Sequence, residues 1–386
     1  MNRREFLRVA GATALRATVG GSLWTSAARA DPTVSGTGPY GPLEPADANG
    51  LMLPAGFRSC VVARGDELVA GTGHVWHTDA DGGAVFRIDG GYVYVSNSER
   101  MAGGAGAIEF DYSGNIVDSY SICSGTRFNC AGGATPWGTW LSCEELIDGL
   151  VYECDPRGTA AAVARPALGS FAHEAVAVDP MERRLYLTED ASDGLFYRFT
   201  PDSWQDLSSG LLEAAIVTAG VVSWATVPTP NPDFGAMPPD PATRYQVPGA
   251  MPFNGGEGIV YHADDVYLTT KGDSRVWDYD LASSTLSVLY DDNLDPGTQL
   301  THGDNLTASR SSDLIVAEDP GNLELVILTP DCVAAPLVRV TGQSGTELTG
   351  PAFEPLRRRL YFSSQRGGTG GDGITYEVEG PFRRTS

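Results

Sequence analysis

The chain has 386 residues, enough for one large domain or two ordinary ones, and no shift in composition divides it. It carries 49 acidic against 26 basic residues, a net charge of −23, which argues against a nucleic-acid partner because such a partner needs a basic face. Beyond the N-terminus no run reaches the roughly 18 apolar residues of a membrane span, so no stable membrane anchor is expected.

The first element in chain order is an export signal. Arg3-Arg4 is followed by Glu5, Phe6 and Leu7, the twin-arginine arrangement, and then by a small-residue, apolar stretch interrupted by Arg16. Ala28-Arg29-Ala30 reads as a cleavage site. The expected organisation is a signal over residues 1–30 handled by the twin-arginine translocase, a linker over 31–52 and one domain over 53–386. The expected location is periplasmic or extracellular. Cysteines can pair in such a compartment, but the spacing of Cys60, Cys123, Cys130, Cys143, Cys154 and Cys332 selects no pairing.

Strands follow. YVYVSNSER, GTWLSCEE, RLYLTED, DVYLTTKGD, DLIVAED and RLYFSSQRG alternate as half-buried strands do. Each stops on charge: Glu99, Glu144/Glu145, Glu189/Asp190, Lys271, Glu318/Asp319 or Arg366. A second set of residues precedes these ends at near-constant spacing. Cys130 to Glu145 is 15 positions, Glu174 to Asp190 is 16, Glu257 to Lys271 is 14 and Asp304 to Asp319 is 15, whereas Glu347 to Arg366 is a looser 19. Further apolar runs give three or four strands per unit, and only residues 208–217 look briefly helix-compatible. The expectation is an all-β fold, a six-bladed β-propeller with a metal cluster at one mouth of the central channel. The Pro-, Asp- and Gly-rich stretch over residues 227–253 is too long for a turn and reads as a lid or a rim loop.

In a propeller, equivalent positions face one channel. The strand ends would bring Glu99, Glu144, Glu145, Glu174, Glu189, Asp190, Glu257, Asp304, Glu318 and Asp319 together with Cys130, with Glu347 as a further candidate. Lys271 and Arg366 would be the counterions. So many carboxylates cannot stand close together as free anions. Hard oxygens in that number fit Ca²⁺ or Mg²⁺, whereas a thiolate prefers a softer ion such as iron or zinc. Clustered cations would bind an anionic substrate and acidify a bound water. Lys271 and Arg366 would then clamp the substrate's anionic oxygens. Each residue also has a simpler reading: Cys130 in a disulfide, the acidic pairs, Lys271 and Arg366 on solvated turns, and His173 and His302 as packed residues. The run from His77 through Asp79 and Asp81 to Gly82 lacks the distal Glu of a calcium loop and reads as a turn at a blade edge.

NCAGGATPWGTWLSCEE resembles the signature of the PhoX-type alkaline phosphatases. The likeness continues through SFAHEAVAVDP, LYLTED, GEGIVY, TTKGD, GDNL, VAEDPGNLELV, SSQRG and TYEVEGPF, covering most of residues 53–382. It implies twin-arginine export, a β-propeller, and a cluster of iron and calcium ions that hydrolyses phosphate esters. Cys130 then resembles the iron-binding thiolate. Glu145 with Glu144, Glu174, Glu257 and Asp304 resemble carboxylate ligands, and Lys271 and Arg366 resemble the groups that hold phosphate. The repeat adds Glu99, Asp190 and Asp319. Two positions depart from the family pattern: Gly255 stands where an Arg precedes the glutamate matching Glu257, and Ser98 stands where His is frequent. The chain is also shorter than the family's well-studied enzymes. The expected activity is hydrolysis of small phosphate esters by a metal-bound oxide or hydroxide. A calcium-dependent lactonase or ester hydrolase, and a non-catalytic calcium-stabilised propeller that binds a partner through its rim, remain open, since fold alone does not decide function.

Overall fold

The computed structural model describes residues 33–384 apart from 296 and 298, so the expected export signal lies outside the described residues. Among the described residues the regular structure is β-strand, with two short 3₁₀ turns at Pro166–Leu168 and Thr243–Tyr245. The alternating runs form the strands Gly91–Ser98, Trp140–Glu144, Arg184–Glu189, Asp265–Thr270, Leu314–Glu318 and Arg359–Ser364. They are buried on both faces because each lies second in its sheet, covered by the neighbouring sheets. The stretch with a faint helical look is instead part of the strand Asp206–Thr218. It pairs on one side with Phe196–Ser203 and on the other with Val221–Thr226, and this pairing overrides a weak local preference.

Six strands line the axis: Ala80–Ile88, Asn129–Ala134, His173–Asp179, Gly256–His262, Gly303–Ala308 and Leu348–Phe353. Each packs against the next in that order, and the last packs against the first, which makes a closed, propeller-like ring. An antiparallel meander runs outward from each. Hydrogen bonding groups the strands into five sheets rather than the six expected. The difference lies in one nine-stranded sheet, where two meanders merge through the single register pair Val221↔Thr285.

The ring is closed by the N-terminal segment. Strand Arg58–Arg64 pairs with Ile374–Glu379 and so completes the last sheet with residues more than 300 positions away. Val34–Ser35 and Leu51–Met52 both add to Val333–Val340, so parts of the expected linker belong to a sheet. Between neighbouring sheets lie apolar layers. Tyr92, Tyr94, Phe110 and Tyr361 fill the one between the first and last sheets. Tyr94 stacks on Tyr361 with centroids 5.2 Å apart, and the Tyr92 and Tyr361 hydroxyls meet at 2.8 Å. Fully burying a large apolar side chain contributes about 1.5–3 kcal/mol, so each interface is a substantial source of stability.

The long stretch over residues 227–253 is pinned to the flank of the third meander. Arg244 binds Glu189 at 2.8 Å and Asp193 at 3.0 Å, and Thr243 Oγ1 donates to the Ser170 carbonyl. Phe253 packs edge-on against Phe196 and Trp277. None of its described residues lines the channel mouth.

Candidate metal centre at the channel mouth

One backbone device recurs in all six inner strands. Each begins with a residue paired to the end of the second strand: Ala80↔Ser98, Asn129↔Glu144, His173↔Glu189, Gly256↔Thr270, Gly303↔Glu318 and Leu348↔Ser364. A register shift follows at once in five of them, and one residue later in the last. A β-bulge re-aims the side chains it carries, and here it begins at Asp81, Cys130, Glu174, Glu257 and Asp304, while in the sixth strand the equivalent residue, Thr349, stands just before the shift. The next residue is Gly82, Ala131, Ala175, Gly258, Asn305 or Gly350. Small residues suit this narrow neck: a Cβ on Gly82 would lie 2.4 Å from the Ala131 Cα, and one on Gly258 would lie 2.6 Å from the Asn305 Cα.

A second bond fixes the strand ends. The backbone N–H of Glu99, Glu145, Asp190, Lys271, Asp319 and Gln365 donates to the carbonyl of Asp79, Phe128, Ala172, Gly255, His302 and Glu347 respectively, at 2.8–3.1 Å. In each case the acceptor stands two residues before Asp81, Cys130, Glu174, Glu257, Asp304 or Thr349. The sixth unit's equivalents are therefore Thr349 and Gln365, 16 positions apart against 14–18 in the other units. Glu347 and Arg366 flank that register, which accounts for their looser spacing.

These devices surround a cavity of about 200 Å³ lined by Asp81, Glu99, Cys130, Glu145, Glu174, Glu257, Asp304, Asp319 and Glu347, with Lys271 and Arg366. Lys271 Nζ lies 2.7 Å from Glu257, 3.2 Å from Asp319 and 3.3 Å from Asp190. Asp190 thus joins the site through Lys271 without lining the cavity. Arg366 reaches Glu347 at 2.8 Å, Glu99 at 3.1 Å and Asp79 at 3.3 Å.

Glu144 is the exception among the expected ligands. Strand alternation turns it into its own sheet, where its carboxylate accepts the N–H groups of Arg127 at 2.8 Å and Leu150 at 3.2 Å. Glu189 and Glu318 do the same. Glu189 accepts from Tyr197 and Leu195, and Glu318 accepts from the N–H groups of Thr301, Asn322 and Glu324. In every acidic doublet the first residue braces a turn and the second faces the mouth. His173 is packed, stacked on Phe171 with its Nε2 at the Gly169 carbonyl, and His302 stands exposed in the turn before its bulge.

The electrostatics are unbalanced. Burial first, then Asp190, Glu257 and Glu99, push Glu145 up to about 9. Burial outweighs Lys271 and leaves Glu257 at about 8. Burial and Glu99 raise Asp81 to about 7, while burial, Asp81 and Asp319 raise Glu347 to about 9. Glu174, Asp304 and Cys130 are raised well above their ordinary values, by burial and then by neighbouring anions. Lys271 goes the other way: burial disfavours its charge, but Glu257, Asp190 and Asp304 outweigh that and hold it charged. Two basic side chains do not neutralise eight carboxylates, so protons or metal cations must.

The donor geometry fits cations. Asp81, Glu99 and Cys130 each offer an atom within 4.8 Å of the other two, as do Cys130, Glu145 and Glu174, and Glu174, Glu257 and Asp304. The three trios form a chain that shares Cys130 and then Glu174. Glu174 Oε2 is buried without a hydrogen-bond partner, as a ligand oxygen would be.

A family model described as Alkaline phosphatase PhoX matches residues 79–156 and 148–286, more than half of the chain. The chain belongs to the PhoX alkaline phosphatase family. Among solved structures it is similar to Pseudomonas fluorescens PhoX in complex with vanadate, a transition state analogue. The TM-score is 0.72 and the identity 16%, with 87% of this chain and 97% of that one covered. It is also similar to XC5397, a gluconolactonase from Xanthomonas campestris, at a TM-score of 0.54 and 12% identity, with 89% and 99% covered. At these identities the structural likeness speaks for the fold alone. No curated protein matches the chain in sequence.

Within this PhoX family member, sequence reasoning passed over Asp81 as a ligand candidate, along with Asn305 and Gln365. Asn305 Nδ2 donates to Asp304 at 2.8 Å and reaches Glu174 at 3.4 Å, while its Oδ1 accepts the Gly350 N–H. Gln365 Nε2 donates to Asp81 and Glu99. A usable signal existed for Asp81: a donor followed at once by a small residue, as in Cys130-Ala131, Glu174-Ala175 and Glu257-Gly258.

Proposed function

We propose that this protein is a metal-dependent phosphoesterase, exported to the periplasm or beyond, built as a six-bladed propeller. The six inner strands in cyclic contact support the blade count, with the merged sheet read as two blades. Family membership supports export and phosphatase chemistry. The observation that carries the reading is the chain of three donor trios, with Lys271 and Arg366 beside it.

The trios would hold a transition metal such as iron at the Cys130 end and calcium at the Glu257–Asp304 end, by the softness of the donors. When bound, such ions supply Lewis-acid polarisation of the phosphoryl oxygens and stabilise the negative charge that grows on them. The chain's own part is binding and orientation. Lys271 and Arg366 are held by carboxylates on separate strands, so their N–H groups stand ready for the non-bridging oxygens of a phosphate head. Arg366 presents a fork, and Lys271 a point charge. The cavity of about 200 Å³ takes that head and leaves the alcohol group outside. No serine or histidine lines it among the described residues, so a Ser–His pair finds no support. Gly255 leaves the family's arginine position without a cation, so phosphate rests on Lys271 and Arg366 more heavily.

The test is hydrolysis of p-nitrophenyl phosphate by the purified chain. The reading expects turnover that a chelator abolishes and that iron with calcium restores. Turnover of gluconolactone without any of the phosphate ester would favour the lactonase instead. Metal-loaded protein inactive on both would leave a binding propeller.

A further inference from the structure

Cys123 lies on the outermost strand of the first sheet, Ile116–Thr126, and Cys154 ends the strand Val151–Cys154 of the next sheet. Both side chains enter one buried apolar layer between those sheets, beside Ala105, Ile122 and Trp140. Both are buried free thiols, near enough that each is a leading influence on the other's ionisation. Tyr120 Oη donates to the Pro156 carbonyl at 3.2 Å, tying the same two segments together three residues before one cysteine and two after the other. We propose that Cys123 and Cys154 form a disulfide that staples the first sheet to the second.

The remaining cysteines are placed for other things. Cys143 lies on the opposite face of its sheet, in the layer toward the third meander. Cys130 stands among the carboxylates of the mouth. Cys60 is exposed on the closing strand, and Cys332 sits in a distant turn.

The chemistry is thiol–disulfide exchange with a small-molecule or protein disulfide as oxidant. Cys123 is the better first nucleophile, because the neighbouring Cys154 thiol holds its pKa below the ordinary value, whereas that of Cys154 is raised. Its thiolate attacks the oxidant's disulfide, forms a mixed disulfide and expels one thiolate. The Cys154 thiolate then attacks the Cys123 sulfur and expels the second. The two cysteines lose two protons and two electrons, and the oxidant gains them as two thiols. Both cysteines are buried, but among the described residues Ile116–Thr126 pairs on one side only, and such outer strands open locally.

The consequence reaches the site. The staple closes a loop of 31 residues that carries Cys130 and Glu145, donors in two of the three trios. It restrains that loop in the unfolded chain and anchors it in the folded one.

The test oxidises the full chain with glutathione disulfide, alkylates remaining thiols under denaturing conditions and maps the peptides by mass spectrometry. The expected result is a linked Cys123–Cys154 peptide and a mass lower by two hydrogens, with Cys130 and Cys143 alkylated. Alkylation of both Cys123 and Cys154, or a link from either to another cysteine, would overturn the proposal. A second arm measures melting temperature with and without dithiothreitol. The native sequence should fall by several degrees on reduction, while Cys123→Ser melts at the reduced value under both conditions. A native melting temperature indifferent to reductant would also overturn it. Neither arm reads phosphatase activity, so the outcome is independent of the functional reading.

Discussion

The two ends of the channel are made by the same six strands and have opposite chemistry. The mouth holds eight carboxylates and a thiol in about 200 Å³. The far end is a slightly larger cavity of about 250 Å³, lined by residues such as Gly132, Val176, Ile259, Leu306 and Phe353, with Arg357 the one charged residue among the described residues that line it. Between them lies a neck formed by Gly82, Ala131, Ala175, Gly258, Asn305 and Gly350. Size therefore does not mark the site; the bulge does. Residues at the bulge serve chemistry, and residues beyond it serve packing, apart from Asn305, which braces Asp304 and Glu174.

Glu174 and Val176 test that division most sharply, because they stand two residues apart on one strand. Glu174→Gln should lower metal content and phosphatase activity by more than about 100-fold, beyond the 10–100-fold typical of a supporting residue outside the ligand set. Val176→Ala should cost about 2 kcal/mol of stability by leaving a small cavity, with metal content unchanged. Elemental analysis and denaturant unfolding read the two arms. Equal metal loss in both variants would erase the distinction.

The next effect is a pH dependence confined to the mouth. With ions stripped, Glu145 and Glu347 rise from an ordinary 4.5 to about 9, and Glu257 to about 8. The folded state then holds protons that the unfolded state releases. That contribution is fully present below the ordinary carboxylate range and is lost as pH climbs through 8 and 9. Metal-free protein should therefore lose melting temperature steadily between those limits, and added calcium should flatten the curve. Parallel curves with and without chelator would contradict a cation-balanced mouth.

Lys271→Ala should cut kcat/KM for phosphate esters by about 10–100-fold, the worth of one or two charged hydrogen bonds, with metal content kept. Loss of the metal alone would place Lys271 in structure rather than in substrate binding. Glu144→Gln, the other member of its doublet, should leave metal content and activity in place and cost about 1–2 kcal/mol through weaker bonds to the Arg127 and Leu150 N–H groups. The smallest change is Gly255→Arg. Asp79, Phe128 and His302 adopt the same left-handed backbone at equivalent positions, so a side chain there is tolerable. Its Cβ would sit 3.3 Å from Asp190 Oδ1, and phosphate affinity should rise a few-fold. An unchanged inhibition constant for inorganic phosphate would remove Gly255 from the substrate argument.

Much of this was legible in the sequence because a strand has a period of two and a ring repeats its units. Those two facts located the strand ends and the even spacing of Cys130, Glu174, Glu257 and Asp304 from their partners. What was not legible depends on backbone details that alternation alone does not encode. Which acid of Glu144-Glu145 faces the channel follows from a backbone bond to Phe128, and the pattern of apolar residues is silent on it. Asp81 was obscured by a turn-like context and a wider gap to Glu99. The sixth unit misled because its two charges flank the register occupied by Thr349 and Gln365. The merged sheet hinges on one residue pair, below what any sequence period reports. Partners of the cysteines became visible only once two sheets were placed side by side.

Elemental analysis of the native chain beside Cys130→Ser tests the central claim most directly, that donors on neighbouring strands share cations. The account predicts more than one ion per native chain, a transition metal together with calcium, and a variant that loses the transition metal while keeping most of the calcium. A folded native chain that binds no metal, or a variant with its transition metal intact, would contradict it.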